Sequence, residues 1–253
     1  MRATGSVAFI TLLLTGSLAC AEGRPSDSLP ATGGPITITP LTHATLQLTH
    51  GAHVVLVDPW HEASFVGLPK PTLILITDIH PDHLDQKALA AVRAPGTKVA
   101  APPAVASQVE GATAIANGET KTLDGITVEG VPMYNLKRGP KPGELFHTKG
   151  RGDGFLLVLG GKRIYLAGDT ECTPEMKALK NVDVAFLPMN LPYTMPVEEA
   201  AECAKAFRPK VVYPYHYRGP DGKADVKAFA AALAGTGIEV RIRDWYPATS
   251  PAR

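Results

Sequence analysis

Residues 72–85 of the chain read TLILITDIHPDHLD. The first part, TLILIT, is an almost unbroken apolar run, which is typical of a β-strand buried on both faces. A helix-capping turn after this run would account for Asp85. It would not account for four residues of metal-binding type in the same short loop: Asp78, His80, Asp82 and His83. Because imidazole and carboxylate groups bind divalent metals, the stretch predicts a metal centre at the carboxyl end of a buried strand.

The segments around this stretch indicate a β-containing fold with helices. Three β-rich runs precede it, over 36–39, 45–49 and 54–57, and they predict a meander. Farther along, Gly160-Gly161 between two apolar runs predicts a tight hairpin. The remaining predicted elements are a helix over 86–92, a strand over 98–101, a helix over 104–109, a hairpin over 119–132, two αβ units over 174–188 and 196–217, a helix over 224–233 and a last strand over 238–243.

The composition is that of a folded protein with almost no net charge. The chain has 253 residues, enough for one domain or two, and 45% of them are hydrophobic, which excludes a disordered chain. The 25 Lys and Arg residues nearly balance the 24 Asp and Glu residues. No net field would therefore hold a polyanion, and we expect no nucleic-acid partner.

The N-terminal segment differs from the rest of the chain. Residues 7–14 are an apolar run that is too short to span a membrane and is typical of a signal peptide. We predict a signal peptide over 1–21, with either cleavage after Ala21 or lipidation of Cys20 as in a lipoprotein. The mature protein would then be exported to the periplasm or cell envelope, with membrane contact only through the lipid on Cys20.

Beyond this segment the sequence predicts a linker and one domain. Residues 22–35 contain repeated Pro, Ser and Gly and are predicted to be the linker, and 36–253 are predicted to be the folded domain. The domain has two cysteines, Cys172 and Cys203, in no C-x-x-C spacing, which excludes a thiol zinc ribbon. We predict that they are two small buried core residues, with a disulfide between them as the alternative.

The polar loop resembles the H-x-H-x-D-H signature of the metallo-β-lactamase superfamily, with Asp78 where the family has its first histidine. Three further segments resemble motifs of that family in the same order: Val57-Asp58-Pro59, Gly168-Asp169-Thr170 and Pro214-Tyr215-His216. The likeness covers about residues 36–246. It implies an α/β fold, namely the four-layer αββα metallo-β-lactamase sandwich.

Three stretches narrow the resemblance to one branch of the superfamily. They are PMYN over 132–135, HTKGRGDG over 147–154 and GGKRIYLAGDT over 160–170. They look most like the branch that holds L-ascorbate-6-phosphate lactonase-like proteins and the N-acylphosphatidylethanolamine-hydrolysing phospholipase D. That branch is chemically diverse, so the resemblance does not name a substrate.

The resemblance implies a dinuclear centre of two divalent metal ions, with zinc expected and manganese or iron as alternatives. Asp82 and Asp169 would be its catalytic residues. Asp58 would orient a ligand imidazole through the free N–H of that ring. One ligand before Asp169 is implied to be His147, with Asn135 as the alternative. The implied ligands are Asp78, His80, His147 and Asp169 for the first metal, and Asp82, His83, His216 and Asp169 for the second.

Other residues could act on the substrate side of such a centre. Of the N-terminal histidines, we expect His43 to face the site, and Tyr193 could hydrogen-bond a substrate. The basic residues near His147 are either a pocket rim that favours anionic substrates or a solvated loop. They are Lys137, Arg138, Lys141, Lys149 and Arg151.

The implied function is an exported metal-dependent hydrolase of a small ester, lactone or phosphodiester. The first alternative is a β-lactamase proper. Asp78 in place of the first histidine and the lack of a recognisable carboxylate-binding signature argue against it. The second is a non-catalytic, metal-containing envelope binding protein, which loss of ligands would indicate. We expect a small-molecule substrate, anionic if the basic residues form a rim, and the oligomeric state stays open.

Overall fold

The computed structural model describes residues 25–246, so the predicted signal peptide, with Cys20 and Ala21, lies outside the described residues. The strands are β1 Asp27–Leu29, β2 Ile36–Thr42, β3 Thr45–His50, β4 His53–Val57, β5 Leu73–Leu75, β6 Lys98–Ala101, β7 Ala112–Ala114, β8 Thr120–Leu123, β9 Ile126–Met133, β10 Gly152–Leu159, β11 Lys162–Leu166, β12 Val184–Pro188, β13 Val211–Tyr215, β14 Arg218–Gly219, β15 Gly222–Lys223 and β16 Glu239–Val240. The helices are α1 Gln86–Val92, α2 Pro103–Ala106, α3 Pro174–Ala178, α4 Val197–Phe207 and α5 Val226–Ala232.

The first sheet contains seven strands in chain order, β1 to β7. Strands β1 to β4 pair antiparallel, as the predicted meander requires, and β4 to β7 pair parallel. The apolar run at 72–77 forms β5, between β4 and β6. Leu73 and Leu75 pack in one core cluster with residues of the second sheet, while Ile74 and Ile76 pack in the cluster that contains Leu89 of α1. The prediction of a strand buried on both faces is confirmed.

The second sheet also has seven strands, in the order β16-β13-β12-β11-β10-β9-β8. Strands β11, β12, β13 and β16 are parallel, and β8 to β11 are antiparallel. The predicted hairpin joins β10 to β11 through Gly160 and Gly161, with φ of 54° and 73°. Positive φ at both positions is what a two-residue hairpin turn demands, and glycine adopts it without steric cost.

The two sheets pack face to face, and helices cover their outer surfaces. Helices α1 and α2 contribute Leu89 and Val105 to the cluster on the outer face of the first sheet. Helices α3, α4 and α5 contribute Met176, Ala200 and Phe229 to the main core. Asp85 caps α1 by accepting hydrogen bonds from two backbone amides, as its position predicted. The arrangement is the predicted α/β sandwich of four layers.

The predicted linker over 22–35 is wrong in part, because β1 lies inside it. Asp27 pairs with Ile38 of β2 across the sheet, and Leu29 is buried in the main core. The Asp27 carboxylate also accepts hydrogen bonds from Tyr213 and Arg243. These contacts tie the segment to both sheets, which its Pro and Gly content did not indicate.

The prediction for Cys172 and Cys203 is half right. Both are buried, but they are joined in a disulfide, which was the alternative. Cys172 lies in the loop between β11 and α3, and Cys203 lies on α4, so the bond ties this loop to a helix. Within residues 25–246, none of the helices combines the length and apolar character that crossing a membrane requires.

Candidate metal centre

The predicted ligands meet at the edge where the parallel strands of both sheets end. Strands β4 and β5 are parallel, so Asp58 and the 78–83 loop follow them at the same edge. Strands β11 and β13 are parallel to β12, so Asp169 and His216 leave the second sheet together. Because β10 runs antiparallel to β11, the segment before it returns His147 to that edge.

One group of side chains consists of the residues predicted for the second metal. His216 Nε2 lies 3.2 Å from Asp169 Oδ1 and 3.4 Å from Asp82 Oδ2. His83 Nε2 lies 3.5 Å from Asp169 Oδ2 and 3.2 Å from His216 Nε2. Two imidazole nitrogens and two carboxylates therefore point at one small volume, with both histidines fully buried.

The other group consists of the residues predicted for the first metal. Asp78 Oδ2 lies 2.8 Å from His80 Nδ1 and 3.8 Å from His147 Nε2. His147 Nε2 is also 3.3 Å from Asp169 Oδ2. The Asp169 carboxylate thus contacts both groups, and the structure brings all seven predicted ligands together.

Hydrogen bonds on the far side of two rings fix where their protons sit. His83 Nδ1 lies 2.8 Å from Asp58 Oδ2, and a carboxylate can only accept, so Nδ1 carries a proton. His147 Nδ1 lies 2.8 Å from Asn135 Oδ1. The Asn135 amide nitrogen donates to Glu171 and to the Tyr193 carbonyl, so its oxygen must face His147 and accept. With Nδ1 as the protonated atom, each ring can offer its Nε2 lone pair to a metal ion in the centre.

The charges at the centre favour a bound cation. Burial raises the pKa of Asp169, but His216 and His83 outweigh burial and hold that pKa well below its usual range. Burial likewise raises the pKa of Asp82, and His83 and His216 again bring it below the usual value. Burial lowers the pKa of His83, yet Asp58, Asp169 and Asp82 hold it well above its usual range. The same carboxylates that favour a proton on His83 would favour a metal ion there.

The residues present fit the divalent metals that the resemblance implies. Among residues 25–246, His147 Nε2 and Asp169 Oδ1 are buried atoms without a hydrogen-bond partner. A lone pair of His147 aimed at a carboxylate is unfavourable unless a cation lies between them. Nitrogen and oxygen donors together suit zinc, iron and manganese. A cation shared by these atoms would satisfy both.

Asp58 supports the centre from behind. Besides His83 Nδ1, its carboxylate accepts from the Thr77 amide at 2.7 Å and from the Thr77 hydroxyl at 2.7 Å. Asp58 has a φ of 43° and His216 a φ of 44°, both in the left-handed region that few non-glycine residues adopt, Asp and His more often than most. The three hydrogen bonds fix the Asp58 carboxylate, and left-handed backbone of this kind is common at functional sites.

His43 faces the centre, where its ring lies against that of His216, with centroids 3.7 Å apart, and meets the Asp82 carboxylate. The Tyr246 hydroxyl accepts from the Arg218 amide and can donate its own proton to His43 Nδ1, 2.8 Å away. His43 Nε2 then carries the ring proton and donates to Asp82 Oδ2 at 3.2 Å. Burial, followed by the neighbouring His216, lowers the pKa of His43 to about 4, so the ring is neutral at pH 7. The ring therefore orients Asp82.

A cavity of about 450 Å³ opens above the two groups. His80, Asp82, His147 and Asp169 lie in its wall, and the rings of Phe146 and Tyr193, 5.0 Å apart, form another part of that wall. The rest of the lining contains His43, Asn190, Arg218, Gly219 and Pro220.

Two loops meet beside this cavity. Gly219 lies so close to the next loop that a Cβ atom placed on it would overlap the Leu191 carbonyl oxygen. The Arg218 guanidinium lies 4.7 Å from the centre of the Tyr246 ring and forms an ion pair with Glu62 at 3.0 Å. The β14–β15 hairpin and the 190–193 loop therefore form one continuous wall.

The basic residues near His147 do not line the described cavity. Arg138 pairs with Glu199 at 2.8 Å and with Glu171 at 3.3 Å. The remaining ion pairs of this run join Lys149 to Glu175, Lys141 to Glu144 and Arg151 to Asp78. Each of these cations faces a carboxylate, whereas Lys137 is exposed. The cation in the cavity wall is Arg218, which the sequence analysis did not single out, although it lies only two residues after His216.

Comparison with known proteins agrees with the geometry. A model of the beta-lactamase superfamily domain matches residues 37–216. The chain belongs to the metallo-β-lactamase superfamily. A UPF0173 metal-dependent hydrolase from Symbiobacterium thermophilum is 33% identical over 217 residues, which are 78% of this chain and 91% of that protein. By this similarity, the chain belongs to the metal-dependent hydrolases of the superfamily.

Two solved structures have the same fold. A crystal structure of a protein from Parabacteroides distasonis, assigned to the metal-dependent hydrolases, superposes with a TM-score of 0.81 at 41% identity and covers 87% of this chain and 99% of that one. A metallo hydrolase from the archaeon Ignicoccus hospitalis superposes with a TM-score of 0.68 at 25% identity, covering 82% and 94%. These likenesses confirm the predicted superfamily and sandwich fold.

Proposed function

We propose that this protein is an exported, dinuclear metal-dependent hydrolase that acts on a small ester, lactone or phosphodiester. The observation that carries the proposal is the convergence of seven metal-binding side chains, Asp169 among them, beside a cavity of about 450 Å³ that four of them line. A cavity of that size suits a small molecule rather than a polymer.

The chemistry divides between the metals and the side chains around them. Two bound divalent cations would supply Lewis acidity that makes a water molecule nucleophilic at neutral pH, with zinc expected and manganese or iron as alternatives. Asp169 would be shared by both positions, because its carboxylate contacts His147 on one side and His83 and His216 on the other. Asp82 faces the cavity and is held by His43.

The cavity walls support a substrate with both an apolar and an anionic part. Phe146 and Tyr193 offer an aromatic surface that would bind apolar atoms and exclude water. Arg218, which also lines the cavity, would attract an anionic group. The anionic substrate that the basic run suggested is better supported by Arg218, which lines the cavity while pairing with Glu62, than by Arg138 or Lys149, which do not line it.

Export is supported by two features outside the centre. The apolar run over 7–14 is typical of a signal peptide, and a buried disulfide between Cys172 and Cys203 suits an oxidising compartment. Mass spectrometry of the mature N-terminus tests this part. A chain that starts at Cys20 with attached lipid, or after Ala21, would support export, and an intact Met1 in cytosolic protein would contradict it.

The hydrolase is tested by metal analysis combined with a substrate screen. The protein, supplied with excess divalent metal, should bind about two ions per chain and hydrolyse at least one ester, lactone or phosphodiester. Asp169→Asn should lose both properties. Asp183→Asn is the matched control, since that carboxylate instead accepts hydrogen bonds from the Arg163 amide and from Lys210.

Other results of the same screen would replace this proposal with another function. Hydrolysis of β-lactams alone would indicate a β-lactamase proper. Tight ligand binding without turnover by the metal-containing protein would indicate a binding protein. The narrower likeness to L-ascorbate-6-phosphate lactonase-like proteins and the N-acylphosphatidylethanolamine phospholipase stays a prediction that the same panel of substrates addresses.

A further inference from the structure

The carboxylate that replaces a histidine in the family signature is bound by an arginine. Arg151 Nε donates to Asp78 Oδ1 at 3.2 Å, and a terminal nitrogen of the same guanidinium donates to Asp78 Oδ2 at 3.1 Å. Asp78 is fully buried, and the Arg151 side chain is only 21% exposed. Bidentate pairing of this type is the strongest form of the arginine–carboxylate interaction.

The backbone holds Arg151 in this place. The Asp153 amide donates to the Thr77 carbonyl at 3.1 Å, which fixes the start of β10 against the residue before Asp78. Gly152, between them, approaches so closely that a Cβ atom there would lie 3.0 Å from the Thr77 oxygen and 3.2 Å from Asp78 Oδ1. The pair is therefore a product of strand packing and not of one flexible side chain.

The two groups of ligands differ because of this pair. In the first group, Asp78 Oδ2 already contacts His80 Nδ1 and Arg151. In the second, the ion pairs that Asp82 and Asp169 make within residues 25–246 all involve histidines. A metal in the first group must share Asp78 with a fixed positive charge, whereas a metal in the second meets no such competitor.

We infer that Arg151 makes the two metal positions unequal: the position at His83, Asp169 and His216 binds first and tightly, and the position at Asp78 binds second and weakly. Arg151 is then a positioning residue that sets the affinity of one position by competing for its carboxylate. This inference rests on the two-metal centre of the proposed function.

Metal titration of the full-length protein, stripped with a chelator, tests the inference. We expect two steps with Zn²⁺ in calorimetry and two successive changes in the visible spectrum with Co²⁺. Arg151→Gln should tighten the second step by about 10- to 100-fold, the equivalent of hydrogen bonds to a charged group, and leave the first step nearly unchanged. Arg151→Lys, which keeps the charge but loses the bidentate geometry, should tighten the second step less than Arg151→Gln does.

A control and a second background separate competition from general charge effects. Arg241→Gln is the matched control, because Arg241 is similarly buried but pairs with Glu239 and Tyr213. In an Asp78→His background the carboxylate is absent, so adding Arg151→Gln should change the second step by less than about three-fold.

The outcomes are distinct. An unchanged second step in a folded Arg151→Gln protein overturns the inference, and so does equal tightening in both backgrounds, which would show a distance effect of charge alone. A single binding step in both the parent and Arg151→Gln also overturns it. No metal binding in the parent would instead contradict the proposed function itself.

Discussion

Asn135 accepts two hydrogen bonds from His147, one from its backbone amide at 2.7 Å and one from ring Nδ1 at 2.8 Å. The Asn135 amide nitrogen donates to Glu171 and to the Tyr193 carbonyl. A single buried amide therefore fixes the ring of one candidate ligand and the loop that carries a cavity residue. Asn135, the alternative to His147 in the sequence analysis, lies behind the ring and not beside the other ligands.

Asn135→Ala should release the His147 ring and lower the affinity of the first metal position by about 10- to 100-fold, the usual effect of removing a partner behind a ligand. Competition with a coloured chelator measures this affinity. Gln86→Ala removes an exposed amide that donates to the Gln108 carbonyl and serves as control. Equal metal affinity in Asn135→Ala and the parent would show that the ring needs no such support.

Asp58→Asn should destabilise the metal-free protein by about 1–3 kcal/mol, because an amide cannot accept all the hydrogen bonds that Thr77 and His83 now donate to the carboxylate. Urea denaturation measures the loss. Asp124→Asn is the matched control, since Asp124 pairs with His53 at 3.2 Å in a far more exposed place. Similar urea midpoints for the two variants would contradict the importance of burial at Asp58.

Removal of the disulfide by Cys172→Ser with Cys203→Ser should lower the free energy of unfolding by about 3–4 kcal/mol, as the loop-entropy model gives for a bond spanning 31 residues. Denaturant midpoints measured with and without a reducing agent give the effect. The parent should respond to the reducing agent, and the double variant should not. A parent midpoint that reduction leaves unchanged would mean that the bond does not form in solution.

Asp153 should make stability depend on pH. Burial raises the pKa of Asp153 to about 7. A hydrogen bond from Asn117 lowers this pKa, and the nearby charge of Glu119 raises it further. Between its unfolded value of 3.8 and about 7 the folded state holds a proton that the unfolded state loses, so stability falls as pH rises through this window. The slope from this group is at most about 1.4 kcal/mol per pH unit.

Asp153→Asn removes this titration and keeps the shape of the side chain. The variant should gain stability relative to the parent as pH rises from about 4.5 to about 8, and the gain should level off above the folded pKa. Urea midpoints at several pH values give the difference. Asp244→Asn, at an exposed position, provides the baseline. A difference between Asp153→Asn and the parent that does not change with pH would contradict the raised pKa.

Local patterns predicted those parts of the fold that burial enforces. The helix expected over 86–92 matches α1, and the buried run at 72–77 matches β5, because alternating or continuous apolar residues must face a core. The last strand, expected over 238–243, is only Glu239–Val240. This strand lies at the edge of the second sheet and pairs with only one strand, β13. Because it is also poorly buried, few of its residues join the sheet.

The sequence could predict those ligands of the candidate centre that directly follow a parallel strand. Asp169 and His216 follow parallel strands, and such strands end at a common edge. The pairing of Arg151 with Asp78 was not predictable, and the disulfide of Cys172 entered only as an alternative, because each joins segments whose contact depends on tertiary packing. Short-range spacing carries no information about such partners.

The close approach of Gly219 to the Leu191 carbonyl has an evolutionary consequence. A side chain at position 219 would collide with the neighbouring loop, so the two loops that wall the cavity cannot diverge independently. A descendant enzyme that accepts a larger substrate would have to change both loops together, or pass through a poorly folded intermediate sequence. Homologues should therefore show covariation between position 219 and the loop around 191, with glycine retained wherever that loop keeps its present length.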